Sequence, residues 1–165
     1  MQPTFSEIQK FNKWWHYILI STPLLFFITL ILLLQFDVIV PKHSKKDPWF
    51  FIPMLIASAL TIAWFLYLNL KTTINENGIH IVFSGIPFCK KIVLWDDIST
   101  IEVVEYSPLS DYGGWGVKYS IGNGWCYNVS GTYGIKITGK THKPFLVGTL
   151  KKEEAEKVIT YYFKT

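Results

Sequence analysis

Two long apolar stretches dominate the first half of the chain, and alternating apolar and polar positions fill the second half. Residues 14–36 and 48–70 each comprise 23 positions without Asp, Glu, Lys or Arg. A helix of that length extends about 35 Å at about 1.5 Å per residue, and the hydrocarbon core of a bilayer is about 30 Å thick. The pattern predicts a hairpin of two transmembrane helices joined by the polar loop 37–47.

Aromatic residues at the ends of the two stretches agree with this prediction. Trp14 opens the first stretch and Tyr67 closes the second, so an antiparallel hairpin brings both to one membrane surface, where Trp and Tyr concentrate. Ahead of them, Thr4 and Glu7 have the spacing of a helix capping box. Residues 1–13 are therefore predicted to form an amphipathic interfacial segment with a short helix.

From position 71 the period of the pattern changes to two. Ile79, Ile81 and Phe83 alternate with less apolar neighbours, and similar alternation recurs over 117–121, 125–129 and 135–137. Glycine-containing turns separate these segments, which is typical of half-buried strands. In the last segment, 149–163, Ala, Val and Ile form one apolar stripe that predicts a helix capped by Thr149.

Together these segments predict a PH-like domain over residues 71–165. We expect about seven antiparallel strands in two near-orthogonal sheets that form a barrel, with the C-terminal helix closing one end. The complete prediction is a membrane α-helical hairpin that carries this β-rich barrel.

Charge and composition exclude some classes of function. The chain carries a net charge of +4 with 16 basic residues, all of them lysine. Without arginine it lacks the usual bidentate reader of guanine and phosphate, and no part of it is a basic block, so nucleic-acid binding is not expected. Cys89 and Cys126 form no CxxC motif, and the four histidines are dispersed. No metal and no cofactor is predicted.

The carboxylates give no catalytic pattern either. Asp96 and Asp97 are adjacent and Glu102 and Glu105 follow shortly after, but no histidine lies near them in the sequence. A hydrolytic or metal site requires convergent groups of that kind. We therefore predict no catalytic residues and a protein that is not an enzyme.

Several distinctive segments resemble a known group of proteins. They are FSEIQKFNKWW (5–15), LWDDISTIEVVEYSPL (94–109), YGGWGVKYS (112–120) and GWCYNVSGTYGIKI (124–137). The chain resembles small bacterial membrane proteins with two N-terminal transmembrane helices and a PH-like domain of uncharacterised function. Lysines flank both sides of the predicted hairpin equally, so charge does not orient it. The resemblance implies a multi-pass protein of the inner (plasma) membrane with a cytoplasmic N-terminus and C-terminal domain.

One segment stands out as a candidate binding loop. It comprises Asp111, Tyr112, Gly113, Gly114, Trp115 and Gly116. Three glycines around one Trp can expose backbone N–H groups or hold an aromatic ring against a partner, and recognition usually lies on such loops. The alternative is a connection between strands, in which the glycines relieve backbone crowding and Trp115 packs on the barrel.

Lipid recognition is expected to be limited. The first hairpin turn, residues 75–78, carries a glutamate and no lysine, so phosphoinositide binding of the PH type is not predicted. Lys90 and Lys91 are candidate lipid-facing residues, since each lysine near an anionic leaflet contributes about 1 kcal/mol. The alternative for this pair is a solvated turn.

These observations favour a membrane-anchored interaction or scaffold module. Besides the bilayer, its expected partner is another membrane protein or a second copy of the chain. The alternative from another class is an enzyme, or an enzyme subunit, that acts on lipid or envelope precursors at the membrane surface. A channel would require the uncharged helices to oligomerise around a polar stripe that they lack.

Overall fold

The chain divides into two compact units that do not follow one another in sequence. The computed structural model describes residues 2–35 and 48–163. Phe11–Tyr67 forms one unit, while the segments on either side of it, up to Lys10 and from Leu68 onward, combine into the other. The predicted loop 37–47 lies outside the described residues. The β-rich unit therefore contains chain from both sides of the helical unit.

The helical unit contains the predicted first membrane helix. Helix α1 spans Trp14–Gln35, and after a 3-10 turn at Pro48–Phe51 helix α2 spans Ile52–Tyr67. Residues Trp14–Leu33 of α1 have a mean hydropathy of 2.1 and are long and apolar enough to cross a membrane. Many of its large apolar side chains are exposed, as lipid-facing residues would be.

The predicted second span, 48–70, is not confirmed as a membrane-crossing helix. Helix α2 has 16 residues, which corresponds to about 24 Å at about 1.5 Å per residue and falls short of a bilayer core. The apolar run continues past the end of the helix because Leu68 and Leu70 belong to the core of the β-rich unit, where they are 6% and 0% exposed. One continuous apolar run thus serves two different environments.

Four strands form the first sheet in the order of the chain. They are β1 (Phe5–Lys10), β2 (Asn69–Asn75), β3 (Gly78–Ser84) and β4 (Lys90–Val93), and all neighbouring pairs are antiparallel. Lys10, Asn69 and Ser84 stand opposite one another at one end of the sheet, and Phe5, Ile74 and Ile79 stand opposite one another at the other end. Both connections to the helical unit leave from the first of these ends.

Strand β1 replaces the predicted interfacial helix in residues 1–13, so that prediction is wrong. Alternate residues of β1 are buried: Phe5, Glu7 and Gln9 point inward, while Ser6, Ile8 and Lys10 are exposed. The inward positions 7 and 9 are polar, so the hydropathy of this segment does not show the period of two that indicates a strand. For the same reason the β-rich unit does not begin at residue 71, as predicted, but includes residues before the hairpin.

Five strands and two helices complete the β-rich unit. They are β5 (Ile98–Glu105), α3 (Pro108–Tyr112), β6 (Gly116–Ser120), β7 (Gly124–Asn128), β8 (Tyr133–Gly139), β9 (Phe145–Thr149) and α4 (Lys152–Tyr162). The strand order in this second sheet is β5-β8-β9-β7-β6. Strands β7 and β9 pair in parallel, so the expectation of a wholly antiparallel domain is also wrong.

Strand β9 crosses the first sheet from one edge to the other. Phe145 lies at the start of β9, and its ring is 3.6 Å from Nζ of Lys91 on β4. Thr149 lies at the end of β9, and its hydroxyl donates a hydrogen bond to the carboxylate of Glu7 on β1. Edge strands β1 and β4 lie about 14 Å apart at about 4.8 Å per strand, and the four residue steps of β9 extend about 13 Å. These lengths agree only if β9 runs across the strands of the first sheet.

The nine strands described form two packed sheets and not a closed barrel. Helix α4 contacts strands of both sheets, and Ala155, Val158 and Ile159 supply its buried stripe as predicted. The helix begins at Lys152 because Thr149, the predicted cap, ends β9 instead. Near the end of the helix, the Tyr162 hydroxyl donates a hydrogen bond to the carbonyl of Pro3 at 2.9 Å.

Candidate functional site

The predicted binding loop begins in the last residues of helix α3, Asp111 and Tyr112, and continues through the four residues that follow the helix. The carboxylate of Asp111 accepts a hydrogen bond from the backbone N–H of Ser107, at 2.8 Å, and so closes the start of the helix. At the other end, the N–H groups of Gly113 and Gly114 donate to the carbonyls of Leu109 and Pro108, at 2.9 and 2.8 Å. This pattern is a Schellman ending, which requires a left-handed residue after the helix. The loop therefore has a defined backbone.

Three glycines allow the chain to leave α3 and enter β6. Gly113, Gly114 and Gly116 have φ angles of +70°, +129° and +105°. A Cβ atom added to any of the three would meet no heavy atom within 4 Å. Crowding by neighbouring groups is therefore not the reason for glycine here. The backbone conformation is the reason, because residues with a side chain rarely adopt these angles, and the space beside the loop backbone is open.

A buried asparagine holds the loop from beneath. Asn128, at the end of β7, is 0% exposed. Its Oδ1 accepts a hydrogen bond from the N–H of Gly116 at 2.9 Å, while its Nδ2 donates to the Tyr106 hydroxyl at 3.0 Å and to the carbonyl of Gly114 at 3.5 Å. A buried side-chain amide with several partners rigidifies what it binds. One side chain thus fixes both flanks of Trp115.

Tyr112 serves the core and not an exposed surface. It is 8% exposed and packs with Tyr106, Cys126 and Leu146 on the outer face of the second sheet. The rings of Tyr106 and Tyr112 meet edge to face with centroids 5.9 Å apart. Burial raises the pKa of Tyr112 to about 12 and that of the Cys126 thiol to about 12. Both groups are neutral at physiological pH, which agrees with a structural role.

Beside the loop lies an open depression of about 510 Å³. Glu105, Ser107, Asp111 and Thr132 contribute to its lining, together with Tyr106. Asp111 therefore faces solvent with one side while it closes α3 with the other. Of the six predicted loop residues, the structure leaves Asp111 and Trp115 half-buried, exposes Gly113 and buries Tyr112.

The two candidate lipid-facing lysines differ in their surroundings. Lys90 is exposed at the start of β4. Lys91 is turned toward the second sheet, where its ammonium lies over the ring of Phe145, and burial lowers the pKa of this group. A cation over an aromatic face is an attractive pair, so Lys91 bridges the two sheets. Contact with lipid stays a prediction for both lysines, and in this structure the ammonium of Lys91 contacts Phe145.

The carboxylates considered for catalysis lie on the surface. Asp96 and Asp97 are exposed in a 3-10 turn before β5. Glu102 and Glu105 are exposed along β5, and Glu102 lies 3.8 Å from Nζ of Lys136 on the neighbouring strand. Among the residues that the structure describes, no three His, Cys, Asp or Glu side chains group in a way that could hold a metal ion.

The residues that join the N-terminal strand to the rest of its unit were missed by sequence reasoning. The carboxylate of Glu7, which is 5% exposed, accepts hydrogen bonds from the Thr149 hydroxyl at 2.7 Å and from the N–H of Leu150 at 2.8 Å. The Gln9 side chain donates to the carbonyl of Gly148 at 2.7 Å. A glutamate and a glutamine two apart in an alternating segment were the available signal. Polar residues at these two positions were equally compatible with the predicted helix.

Comparison with known proteins does not extend this picture. No protein-family model matches the chain, and no curated protein matches it.

Proposed function

We propose that this protein is a membrane-anchored, PH-like interaction module that presents its β-rich unit at the inner surface of the plasma membrane to a membrane protein or to a second copy of itself. In this proposal both α1 and α2 belong to the membrane anchor, and the two ends of the chain are cytoplasmic. The two sheets, the crossing strand β9 and the C-terminal helix support the PH-like assignment.

The observation that carries the proposal is the pairing of β1 with β2 on either side of the helical unit. Three residues separate Lys10 from the start of α1, and one residue separates the end of α2 from Asn69. The β-rich unit is thereby attached through two short connections that leave one end of one sheet. An attachment of this kind restricts rotation and raises the effective concentration of the unit toward neighbours in the same membrane.

The surface that we assign to the partner is the loop 113–116 together with the following strand β6. Strand β6 is an edge of the second sheet and hydrogen-bonds to one described neighbour, β7. An edge strand presents unpaired backbone groups that accept an added strand. The rigid loop and the open space beside its glycines leave the approach to this edge free, as an incoming chain requires.

Site-specific photo-crosslinking in the membrane tests this assignment. A photoreactive residue at Ser110 or Lys118 of the full chain, both exposed near the proposed surface, is expected to give one discrete protein adduct. The same residue at Thr141 or Ser99, which are exposed elsewhere on the unit, serves as the matched control. An adduct of twice the 19.1 kDa chain mass identifies self-association. Equal adducts at all four positions, or adducts with lipid alone, would refute the proposed surface.

Orientation and the number of spans have a separate test. In a full chain with Cys89→Ser, a thiol introduced as Ser44→Cys is expected to react with a membrane-impermeant maleimide from outside intact cells. Protection of this thiol in intact cells and reaction after lysis would reverse the proposed orientation.

A further inference from the structure

An unusual turn lies at the end of the first sheet where the chain leaves for the helical unit. Lys10, Asn69 and Ser84 form one row across β1, β2 and β3 at that end, and the β3–β4 turn, residues 85–89, follows Ser84. Both connections to the helical unit are short: three residues separate Lys10 from α1, and one residue separates α2 from Asn69. The turn therefore lies at the same end of the sheet as the two connections.

Phe88 occupies this turn in a way that the fold itself does not require. Its side chain is 103% exposed, the highest value for a large apolar residue in the described chain. Its φ angle is +59°, and it is the one described non-glycine residue with a positive φ. A bulky side chain in that region is an outlier. Glycine would fit this backbone without strain, so the phenyl ring is retained at a place where it has no packing partner in its own unit.

Two hydrogen bonds define the backbone of the turn, so the Cα–Cβ bond of Phe88 has a fixed direction. The N–H of Cys89 donates to the carbonyl of Ile86 at 3.3 Å, and the N–H of Phe83 donates to the carbonyl of Cys89 at 2.9 Å. Pro87 precedes Phe88, as proline commonly precedes the positive-φ position of a type II turn. These two hydrogen bonds and the proline keep Phe88 at the tip.

A second group of rings lies on the same side of the unit. Trp125 and Tyr127 lie on the same face of β7. Tyr119 of β6 stands opposite Trp125, and their ring centroids are 5.3 Å apart. Tyr119 and Trp125 are about half exposed. Tyr127 packs edge to face on Phe145 with ring centroids 6.2 Å apart, and Nζ of Lys91 on β4 lies 3.6 Å from the centroid of the same Phe145 ring. Strand β7 therefore lies near the start of β4, which follows the turn. Aromatic rings of this kind concentrate at the boundary between lipid and water.

Charge around the turn has the sign that a membrane surface requires. Lys10 and Lys90 are exposed at the ends of β1 and β4, on either side of the row that leads into the turn. Phospholipid headgroups of the inner leaflet are anionic and attract such lysines. An apolar tip with flanking lysines matches the interfacial layer of a bilayer, in which rings are buried and ammonium groups remain among headgroups.

We infer that the turn 85–89 inserts Phe88 into the headgroup–acyl boundary of the same membrane that holds the helices, as a third point of attachment for the β-rich unit. The inference rests on the membrane anchoring that we propose for the chain. The occupant of the exposed turn is the lipid surface, and not a protein. With three attachment points, the unit has one orientation toward the membrane and presents strand β6 at a constant height.

Nitroxide labels report directly on this insertion. The full chain with Cys89→Ser, in which Cys126 is buried, is reconstituted in nanodiscs that contain anionic lipid and labelled at one of three positions. Phe88→Cys tests the turn. Leu25→Cys in α1 is the lipid reference. Leu94→Cys is the aqueous reference, because it is also an exposed apolar residue but follows the opposite end of β4, about 13 Å along the strand from Lys90.

Collision of each label with oxygen, which enriches in lipid, is compared with collision with a polar nickel chelate. At position 88 the oxygen-to-nickel ratio is expected to exceed that at position 94 several-fold and to approach that at position 25. If the label at position 25 has a lipid-like ratio but the ratio at position 88 equals that at position 94, the insertion is overturned and the anchoring stays intact. A water-like ratio at 25 overturns the anchoring itself. Low collision with both reagents at 88 means contact with protein and also overturns the insertion.

Phe88→Gly supplies an independent measurement. Because glycine accepts the positive φ, this variant is expected to melt no lower than the parent protein. The label at Leu94→Cys in the Phe88→Gly background is expected to gain rotational mobility relative to the nanodisc, since one attachment is lost. Unchanged mobility, with an unchanged melting temperature, would show that Phe88 holds nothing at the membrane.

Discussion

Removal of the Glu7 carboxylate is expected to detach the N-terminal strand from the remainder of its unit. The carboxylate lies 2.7 Å from the Thr149 hydroxyl and 2.8 Å from the N–H of Leu150, and it is almost fully buried. Hydrogen bonds to a charged group contribute about 1.5–3 kcal/mol each. Glu7→Ala removes both but also removes the desolvation of a buried charge. We expect a net loss of about 3 kcal/mol.

This loss has a measurable consequence for amide exchange. At about 1.4 kcal/mol for each factor of ten, the opening equilibrium of β1 rises about a hundredfold. Hydrogen–deuterium exchange of the full chain in nanodiscs, followed in peptides from β1 and from the end of β9, measures that opening. Exchange is expected to accelerate in both peptides. It is expected to stay unchanged in β6, which is an edge strand of the second sheet and is separated from β9 by β7.

Two variants make the result interpretable. Glu102→Ala removes an exposed glutamate whose carboxylate lies 3.8 Å from Lys136, and it is expected to change opening by less than about 0.5 kcal/mol. Thr149→Val removes the hydroxyl partner of Glu7, so the double variant with Glu7→Ala is expected to be less than additive by about 1 kcal/mol. If Glu7→Ala accelerates exchange no more than Glu102→Ala does, the buried contact does not hold β1.

Three further predictions concern the loop and its support. Asn128→Ala leaves the Tyr106 hydroxyl and the N–H of Gly116 without their buried partner. It is expected to lower the free energy of unfolding by about 2–4 kcal/mol. A loss below about 1 kcal/mol, measured by chemical denaturation, would contradict this role. The alanine side chain in Gly114→Ala meets no neighbour, but residue 114 must adopt a φ of +129°, so we expect the free energy of unfolding to fall by about 1–3 kcal/mol. The matched variant Gly122→Ala has no such strain. Its free energy of unfolding is expected to stay within about 0.5 kcal/mol of that of the parent protein. Because burial raises the pKa of Cys126 from 9.0 to about 12, the unfolded thiol ionises first; the stability that this group contributes is complete below about pH 9 and is lost as the pH rises toward about 12. Unfolding of Cys126→Ala, measured between about pH 8 and about pH 11, is expected to depend less steeply on pH than unfolding of the parent protein, and equal slopes would contradict the assignment.

Local pattern predicted several elements well. The uncharged stretch that begins at Trp14 is helix α1, the alternation at 79–83 is found in strand β3, and the apolar stripe of the last segment is the buried face of α4. These elements share one property. Their own residues carry the period of the structure, so a window of about ten positions contains the information.

The candidate loop was recognised from its glycines, but the functions of its residues were not. Sequence analysis included Tyr112 and Trp115 together in a candidate binding loop, whereas the structure buries Tyr112 against Cys126. The residue that holds the loop, Asn128, lies twelve positions beyond Gly116 and resembles any polar residue at a strand end. Its role depends on the pairing of β6 with β7, which brings the amide beneath the loop.

Tertiary structure alone decided the conformation and the role of the first residues. The sequence by itself determined that an apolar helix follows them and that a β-rich unit comes later. It did not show that residues 5–10 belong to that unit, because their pairing partner β2 lies some sixty positions away, beyond the whole helical unit. Isolated from β2 and β9, a segment with Glu7 and Gln9 among its three inward positions has only Phe5 as an apolar residue to bury. Their polar atoms become favourable inside the protein only where Thr149, Leu150 and the carbonyl of Gly148 satisfy them, and that arrangement exists only after both sheets have assembled.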